Sequence, residues 1–371
     1  MKNIFSSKIG IIITGALIGI IAVLLQTAGN PPNMGICVAC FERDIAGALG
    51  LHRAAVVQYL RPEIPAIVLG SFITSFIMKE YRPRAGSSTI IRFFLGVFAM
   101  IGALVFLGCP WRALLRLAGG DLNAITALLG LAAGVAIGVA FLNNGYSLGR
   151  SYSNRNASGW LFPAFMLALV LLNIFPVSFS EGGPVFHSET GPGSMHASVW
   201  ASLGAGLLFG FLAQRSRFCT MGSIRDIILA RDFHLISGVA ALLVTAFIGN
   251  LVTGAFNPGF TNQPVAHSAH LWNFLGMLLA GLAFALAGGC PGRQLILSGE
   301  GDADAGVFVL GMIAGAAVSH NFSLAGKPDA VKEGVYAVGG IGPWGQAAVL
   351  AGILLCLVIG FTMREKLTVR P

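Results

Sequence analysis

Charged side chains are scarce in this sequence. Only 10% of the 371 residues are Asp, Glu, Lys or Arg, and 55% are hydrophobic, whereas soluble globular proteins carry about 25% charged residues. This scarcity excludes a soluble enzyme, a disordered chain and a collagen-like chain. It is typical of an all-α protein that crosses a membrane several times.

Several functional motifs are also absent. No phosphate-binding loop of the G-x-x-x-x-G-K type occurs, so an ATP-driven pump is not supported. No soluble segment combines basic clusters with interleaved aromatic residues, as nucleic-acid binding requires. The histidines have no metal-ligand spacing, and we expect neither a metal nor a cofactor. Four of them are expected to be solvated in outer loops: His187, His196, His267 and His270.

Long apolar runs recur along the chain. Most of them cover 17–21 residues, which is about the length of a helix that crosses a bilayer. We predict ten spans, at about 9–27, 63–79, 90–108, 122–142, 160–176, 196–213, 234–254, 271–289, 305–319 and 345–363. The first is interpreted as a retained span, since no small-x-small cleavage site precedes Gln26. The 50 glycines indicate close helix packing and broken helices.

Basic residues are divided unevenly between the two sides of the predicted membrane domain. With the N-terminus inside, 16 of the 23 basic residues fall on the cytoplasmic side and 7 on the outer side. Because cytoplasmic loops are enriched in Lys and Arg, this division predicts that both termini are cytoplasmic. The formal net charge of +8 is therefore explained mostly by membrane topology.

Two motifs occur twice in the chain. Residues 37–45 match residues 219–227 at an offset of 182, with four identities in nine positions. Residues 108–121 match residues 289–302 at an offset of 181, with seven identities in fourteen. The same order and nearly equal offsets indicate an internal duplication.

The duplication predicts two transmembrane repeats, residues 1–181 and 182–371. Each repeat contains five predicted spans, and an odd number places the second repeat upside down relative to the first. Inverted repeats of this kind are common in secondary transporters. The charge distribution agrees, because it places the two motifs of the first repeat outside and the two motifs of the second repeat inside.

Each motif begins a short helical stretch after a full span. These stretches cover about 10–14 residues, which is too short to cross a bilayer. Re-entrant half-helices are tolerated at membrane depth only where protein or a water-filled cavity surrounds them. We therefore expect four half-helices, two entering from each side, to meet near the midplane around a central path.

The Gly-Cys-Pro-x-Arg motif contains an anion-binding pattern. In each copy the proline suits the first helical position, which leaves Cys109 and Cys290 at the N-cap. A thiol at this place faces the positive end of the helix, which favours thiolate and attracts anions. Arg112 and Arg293 add positive charge within the first turn. The site suits a small anion with a soft atom.

The remaining cysteines differ in how strongly the repeat supports them. Cys37 and Cys219 recur and are functional candidates, whereas Cys356 has no repeated partner and is interpreted as packing. Cys40 completes a C-x-x-C with Cys37, but Gly222 stands at the matching place in the second half. A structural disulfide, a local role and a function for Cys40 all remain open.

Two Arg-Asp pairs lie in segments predicted to be inside the membrane. Arg43-Asp44 and Arg225-Asp226 either brace the broken helices or contact the ligand, since ionisable groups are costly there. Both alternatives remain open. Two further aspartates, just before the following spans, are predicted to be N-caps: Asp121 and Asp302.

Together these motifs resemble the YeeE/YedE family of sulfur-transport membrane proteins, and more specifically its YedE-like branch, which is linked to selenium metabolism. The resemblance covers nearly the whole chain. It is carried by Met34-Gly-Ile-Cys37-Val-Ala-Cys40-Phe-Glu-Arg-Asp, Gly108-Cys-Pro-Trp-Arg112, Arg215-Ser-Arg-Phe-Cys219 and Gly288-Gly-Cys-Pro-Gly-Arg293. It implies a bacterial inner-membrane carrier with central re-entrant loops, in which cysteines relay thiosulfate by thiol-to-sulfur contacts.

Carried over to this chain, the resemblance implies that Cys37, Cys109 and Cys290 are pathway cysteines, with Cys219 where the repeat places a fourth. Cys40 does not belong to the thiosulfate pattern. It fits a selenium-handling variant, because reduced selenium anions are softer and more reactive toward thiols than thiosulfate.

The leading hypothesis is uptake of a small inorganic sulfur or selenium anion by a transporter that is not an enzyme. The anion would move from the outer pair, Cys37 and Cys109, to the inner pair, Cys219 and Cys290. An alternative is a membrane thiol-disulfide oxidoreductase that uses Cys37 and Cys40. A third reading, delivery to a cytoplasmic sulfur- or selenium-carrier protein, is compatible with transport.

Overall fold

The computed structural model describes residues 4–175, 185–332 and 335–364. Helices form nearly all of the regular structure in these ranges. They are, in chain order, α1 (Lys8–Thr27), α2 (Val38–Ala48), α3 (Glu63–Ile77), α4 (Thr89–Phe106), α5 (Pro110–Ala118), α6 (Asn123–Asn143), α7 (Asn156–Ile174), α8 (Val199–Ser216), α9 (Thr220–Ala230), α10 (His234–Val252), α11 (His270–Ala287), α12 (Pro291–Gly299), α13 (Ala303–Asn321) and α14 (Pro343–Thr362).

The other regular elements are short and lie between helices. A 3-10 helix, Ile4–Ser6, precedes α1. Two antiparallel ribbons pair β1 (Arg84–Ala85) with β2 (Tyr152–Ser153) and β3 (Ala330–Lys332) with β4 (Val335–Ala337). The architecture is therefore all-α, as the composition predicts.

Eight helical segments in the described ranges are long and apolar enough to cross a membrane. They contain α1, α4, α6, α7, α10, α11, α13 and α14. The predicted spans 63–79 and 196–213 correspond to α3, which has only 15 residues, and to α8, which carries Gln214 and Arg215 near its end. The prediction of an all-α polytopic membrane protein is confirmed.

Four short helices interrupt the series of long ones. The helices α2 and α9 have 11 residues each, and α5 and α12 have 9 each. At a rise of 1.5 Å per residue, they span about half of a hydrocarbon core roughly 30 Å thick. They begin at the four sequence motifs, as expected of re-entrant half-helices.

Helices at matching positions of the two copies make matching contacts. The helices α11 and α12 start and end 181 residues after α4 and α5. The packed pair α6 and α11 corresponds to the pair α4 and α13, and the pair α1 and α10 corresponds to the pair α3 and α8. The predicted boundary at residues 181 and 182 lies outside the described residues, so the division into two repeats stays a prediction.

Small residues allow the long helices to approach closely. A Cβ atom added to Gly15 of α1 would lie 1.8 Å from the backbone oxygen of Gly238 in α10. Such contacts are typical of membrane helices, which associate through close packing rather than through hydrophobic burial. The packing explains part of the glycine surplus. Of the charges used for orientation, Lys2, Lys366 and Arg370 lie outside the described residues.

Candidate functional site

The first cysteine pair joins the N-termini of α2 and α5. Cys37 is the N-cap of α2, and its sulfur accepts the backbone N–H of Cys40 at 3.3 Å. Cys109 is the N-cap of α5, directly before a proline at the first helical position. The Cys37 thiol donates to the Cys109 sulfur at 3.7 Å. Two residues separated by 72 positions in the chain therefore form one thiol pair.

The second cysteine pair has the same construction. Cys219 is the N-cap of α9, and its sulfur accepts the backbone N–H of Gly222 at 3.2 Å. Cys290 is the N-cap of α12, again followed by proline. The Cys219 thiol donates to the Cys290 sulfur at 3.6 Å. All four candidate cysteines are thus brought together in two pairs of half-helix N-termini.

Each thiol pair lies in a favourable place for negative charge. The N-terminus of a helix presents free N–H groups and a partial positive charge, and two such termini converge on each pair. The pairs differ in accessibility, because Cys219 is 6% exposed while Cys37 is fully buried. Short helices beginning at a cysteine can therefore hold a small anion beside a soft sulfur atom.

Arg112 is held by neutral groups. Its guanidinium donates to the backbone oxygens of Leu107 and Val265 and contacts the Cys40 sulfur at 3.6 Å. Among the described residues, no carboxylate forms an ion pair with it. Its positive charge therefore remains available to an anion near the first thiol pair.

Arg293 has a loose carboxylate contact. Its Nη1 atom lies 3.5 Å from Glu300, without the geometry of a hydrogen bond. The side chain lines a cavity of about 710 Å³ that also contains Cys219. We call this cavity the Arg293 pocket; its lining includes Glu80, Ser216, Arg217, Cys219, Gly222, Arg225, Asp226, His234, Gly288, Arg293 and Leu297.

The Arg293 pocket is rich in charge. Arg217, Arg225 and Arg293 line it together with Glu80 and Asp226. Although partial burial acts in the opposite direction, hydrogen bonds from Gln214 and Arg215 hold the pKa of Glu80 below its usual value. An adjoining cavity of about 390 Å³ shares Arg217 and Arg293. We call the Arg293 pocket and this adjoining cavity together the basic vestibule, and it leads to Cys219 of the second thiol pair.

The two Arg-Asp motifs have different surroundings. The carboxylate of Asp44 accepts from Arg43 at 2.7 Å and from Arg61 at 2.8 Å, and all three side chains are at most 2% exposed. In contrast, Arg225 and Asp226 pair at 2.8 Å while 34% and 23% exposed. The first motif therefore lies in a buried ion-pair cluster, whereas the second lines the Arg293 pocket.

A second cavity, of about 270 Å³, lies toward the opposite end of α10 from the Arg293 pocket. His234, at the start of α10, lines the Arg293 pocket, whereas Val265, in the connection after α10, lines this second cavity. We call it the Arg43 pocket; its lining includes Arg43, Ala54, Val57, Leu107, Pro192, Val265, Ser319, His320, Ser323, Ala325 and Lys327.

The other cysteines are free thiols. Cys40 is fully buried, and its thiol lies 3.6 Å from the backbone oxygen of Leu107. A structural disulfide is therefore not formed at Cys40. Cys356 is buried within α14, as expected of a packing residue.

One histidine prediction is wrong. His267 is fully buried, and its Nε2–H donates a hydrogen bond at 2.7 Å to the backbone oxygen of Val105. His187, His196 and His270 are exposed, as predicted. The described residues contain no group of three or more side chains that could hold a metal ion.

The two predicted capping aspartates also differ. Asp302 caps α13 by accepting the backbone N–H of Ala305 at 3.1 Å. Asp121 is not the N-cap of α6, which is Leu122. Its carboxylate pairs with the buried Arg116 at 2.6 Å, because a buried guanidinium requires a partner, and it also accepts the backbone N–H of Asn123, the first residue of α6, at 3.0 Å.

Sequence reasoning missed Arg61 and Leu107. Arg61 is one of the seven basic residues predicted on the outer side, yet its fully buried guanidinium shares Asp44 with Arg43. Leu107 directly precedes a repeated motif and adopts a left-handed conformation with φ of +64°. In a chain with so few charges, each arginine beside a motif was a usable signal. The Leu107 conformation has no comparable signal.

Comparison with known proteins gives a consistent picture. A family model described as sulphur transport matches residues 215–371. A thiosulfate transporter, TsuA, of Spirochaeta thermophila is 31% identical over 186 residues, covering 44% of this chain and 54% of the relative. The Escherichia coli thiosulfate transporter TsuA is 27% identical over 107 residues, 29% of this chain and 30% of the relative. The chain thus spans about half of the first relative's length and less of the second.

Proposed function

We propose that this chain is a member of the YeeE/YedE sulfur-transport family and that it takes up a small inorganic sulfur or selenium anion through a cysteine-lined path. The family model over residues 215–371 and the similarity to two thiosulfate transporters support the proposal. The observation that carries the proposal is the pair of thiol contacts, 3.7 Å at Cys37–Cys109 and 3.6 Å at Cys219–Cys290, each at converging helix N-termini. The protein acts as a transporter and catalyses no reaction.

Each thiol pair can bind the anion weakly through its sulfur. A thiol is a weak donor and a soft acceptor, and the terminal sulfur of thiosulfate is soft as well. A hydrogen bond between the two thiols of a pair is easily exchanged for thiol contacts to the anion. Passage requires such weak, successive sites rather than one tight site.

Arginines balance the charge of the anion at both ends of the path. Arg112 contacts carbonyl oxygens and the Cys40 sulfur, and Arg293 has only a 3.5 Å contact with Glu300. Neither guanidinium is fully neutralised by an aligned carboxylate. We propose that Arg112 accompanies the anion at the first pair and Arg293 at the second.

The direction of transport follows from the predicted orientation. With both termini cytoplasmic in a bacterial inner membrane, the Arg43 pocket faces outward and the Arg293 pocket faces the cytoplasm. Uptake then proceeds from Cys37 and Cys109 to Cys219 and Cys290. A cytoplasmic sulfur- or selenium-carrier protein would receive the anion at the basic vestibule, and substrate-dependent co-purification would detect it.

Selenium is part of the proposal because of Cys40. Its sulfur lies beside Arg112 at 3.6 Å and adds a third thiol to the first pair. Reduced selenium anions are softer than thiosulfate and gain more from an extra thiol. We therefore propose that both thiosulfate and a reduced selenium anion, such as selenosulfate, are carried.

The test is uptake of radiolabelled thiosulfate, selenite and selenosulfate in cells that lack other sulfur and selenium importers. Cys109→Ala and Cys290→Ala should lose uptake, and the matched control Cys356→Ala should retain it, because Cys356 is buried in α14 away from both pairs. The amount of each variant in the membrane is measured in parallel. Unimpaired uptake of every anion by both variants would overturn the cysteine path.

A further inference from the structure

The two pockets differ in their access to the thiols. The Arg293 pocket is lined directly by Cys219 and by Gly288. The Arg43 pocket is lined by Leu107, and no cysteine is among the described residues that line it. An anion in the Arg293 pocket is therefore next to a thiol, whereas an anion in the Arg43 pocket is next to Leu107 and to no cysteine of the described lining.

Leu107 and Gly288 occupy matching positions of the two repeated motifs. They are 181 residues apart, and each precedes a Gly-Cys-Pro sequence. Both end a long helix in the left-handed conformation, with φ of +64° at Leu107 and +86° at Gly288. Glycine is the usual residue at such a helix end. Leucine is disfavoured there by about 1–2 kcal/mol.

Leu107 and Gly288 differ in how much of the space around them is filled. Leu107 is 4% exposed. A Cβ atom added to Gly288 would meet no atom within 4 Å, and Gly288 itself is exposed. A strained leucine in one copy and open space in the other are the kind of difference that a closed and an open gate require.

The first thiol site lies directly behind Leu107. The backbone oxygen of Leu107 accepts hydrogen bonds from Arg112 and from the Cys40 thiol. The same residue lines the Arg43 pocket. Leu107 and Val265 both line the pocket and accept from Arg112, and of these two Leu107 also accepts from the Cys40 thiol.

The Arg43 pocket is suited to a small oxyanion. Arg43 lines it, and Asp44 is shared between Arg43 and Arg61, so this buried cluster keeps a net charge of +1. His320 also lines the pocket, and its Nε2 atom is buried without a hydrogen-bond partner. Lys327 adds a positive charge at the exposed rim.

We propose that the Arg43 pocket is an entry site for a small soft oxyanion and that Leu107 is the gate between this site and the first thiol pair. The proposal rests on the proposed function for the direction of transport. When the Leu107 side chain moves aside, the anion passes from Arg43 and His320 to Arg112 and the thiols. In the structure the gate is closed, while the Arg293 pocket is open to Cys219.

Thiol labelling from outside tests the gate independently of transport. Intact cells that express the Cys356→Ala protein are treated with a membrane-impermeant, anionic methanethiosulfonate, and labelled cysteines are identified by mass spectrometry. In the parent, Cys37, Cys40 and Cys109 should react slowly. Leu107→Gly should label about tenfold faster or more, because a closed site opens only a small fraction of the time. Glycine also relieves the strain at φ of +64°, so folding should be retained.

Two further variants sharpen the test. Leu107→Met keeps the volume of the side chain and should label as slowly as the parent. Gly288→Leu adds a side chain to open space in a conformation that leucine already adopts at Leu107. In inverted vesicles it should slow the labelling of Cys219. Excess unlabelled thiosulfate should slow labelling in Leu107→Gly, and Arg43→Gln should weaken that protection.

The outcomes separate the gate from the transport function. If Leu107→Gly and the parent label at the same rate, the gate is wrong, whatever the uptake assays give. If Leu107→Gly exposes the thiols but the parent takes up no sulfur or selenium anion, the gate stands and the proposed function fails. Protection by thiosulfate that is identical with and without Arg43 would overturn the entry site.

Discussion

The indole ring of Trp111 lies directly over Gly292. These residues occupy matching positions of the two Gly-Cys-Pro-x-Arg motifs, 181 positions apart, and a Cβ atom added to Gly292 would lie 2.0 Å from two ring carbons of Trp111. Trp111 is 3% exposed and its ring also packs against Phe209 at 4.6 Å. The half-helices α5 and α12 thus meet where the large side chain of Trp111 packs on Gly292, which has none. This contact lies one turn or less from Cys109 and Cys290, the N-caps of the two helices.

Gly292→Ala is expected to destabilise the protein by about 1–3 kcal/mol, because the added methyl group overpacks the buried Trp111 ring. Thermal unfolding of the purified protein in detergent measures the change. Gly204→Ala is the matched control, since Gly204 lies within α8 and has no atom within 4 Å of its Cβ position. It should be neutral or stabilising by up to about 1 kcal/mol. Equal unfolding temperatures for the two variants would contradict the contact.

Asp44→Asn should be strongly destabilising, by about 3–5 kcal/mol, because it leaves the buried guanidiniums of Arg43 and Arg61 without a carboxylate. The matched variant Asp226→Asn breaks the equivalent pair, which is partly exposed, and should cost at most about 1 kcal/mol. Membrane yield and thermal unfolding provide the comparison. A larger loss from Asp226→Asn would show that the buried cluster is not a brace.

Arg293→Gln should reduce anion uptake with little effect on folding, because Arg293 lines the vestibule and has only a 3.5 Å contact with Glu300. Concentration-dependent uptake and thermal unfolding are measured together. Arg155→Gln serves as the control, since Arg155 is exposed before α7 and lines neither pocket. Unchanged uptake by Arg293→Gln at every substrate concentration would remove Arg293 from the path.

Cys40→Ser distinguishes transport from the oxidoreductase alternative. The Cys37–Cys109 contact does not involve Cys40, so thiosulfate uptake should persist while competition by selenium anions weakens. An oxidoreductase based on Cys37 and Cys40 predicts complete loss of activity and a reversible disulfide between them in the parent. Detection of that disulfide by mass spectrometry, together with loss of uptake in Cys40→Ser, would favour the alternative.

Local features account for most of the predicted fold and for part of the site. Pro110 and Pro291 cannot donate a backbone hydrogen bond and therefore begin a helix readily, which places Cys109 and Cys290 at N-caps. Helix length follows in the same way from apolar runs and from the rise per residue. The prediction was less accurate for His267, whose burial depends on packing against Val105.

The sequence by itself determined the membrane class, the alternation of long and short helices and the positions of four cysteines at helix starts, because each depends on residues close together in the chain. Only the tertiary structure decided how close the predicted outer pair lies, with the Cys37 thiol 3.7 Å from the Cys109 sulfur. It likewise decided that Arg61 shares Asp44 with Arg43. The buried Leu107 and the open space beside Gly288, at the matching position of the other copy, were also decided by tertiary packing. These relationships depend on which distant helices pack together and which polar groups they bury. A buried charge finds its partner among neighbours in space rather than among neighbours in the chain.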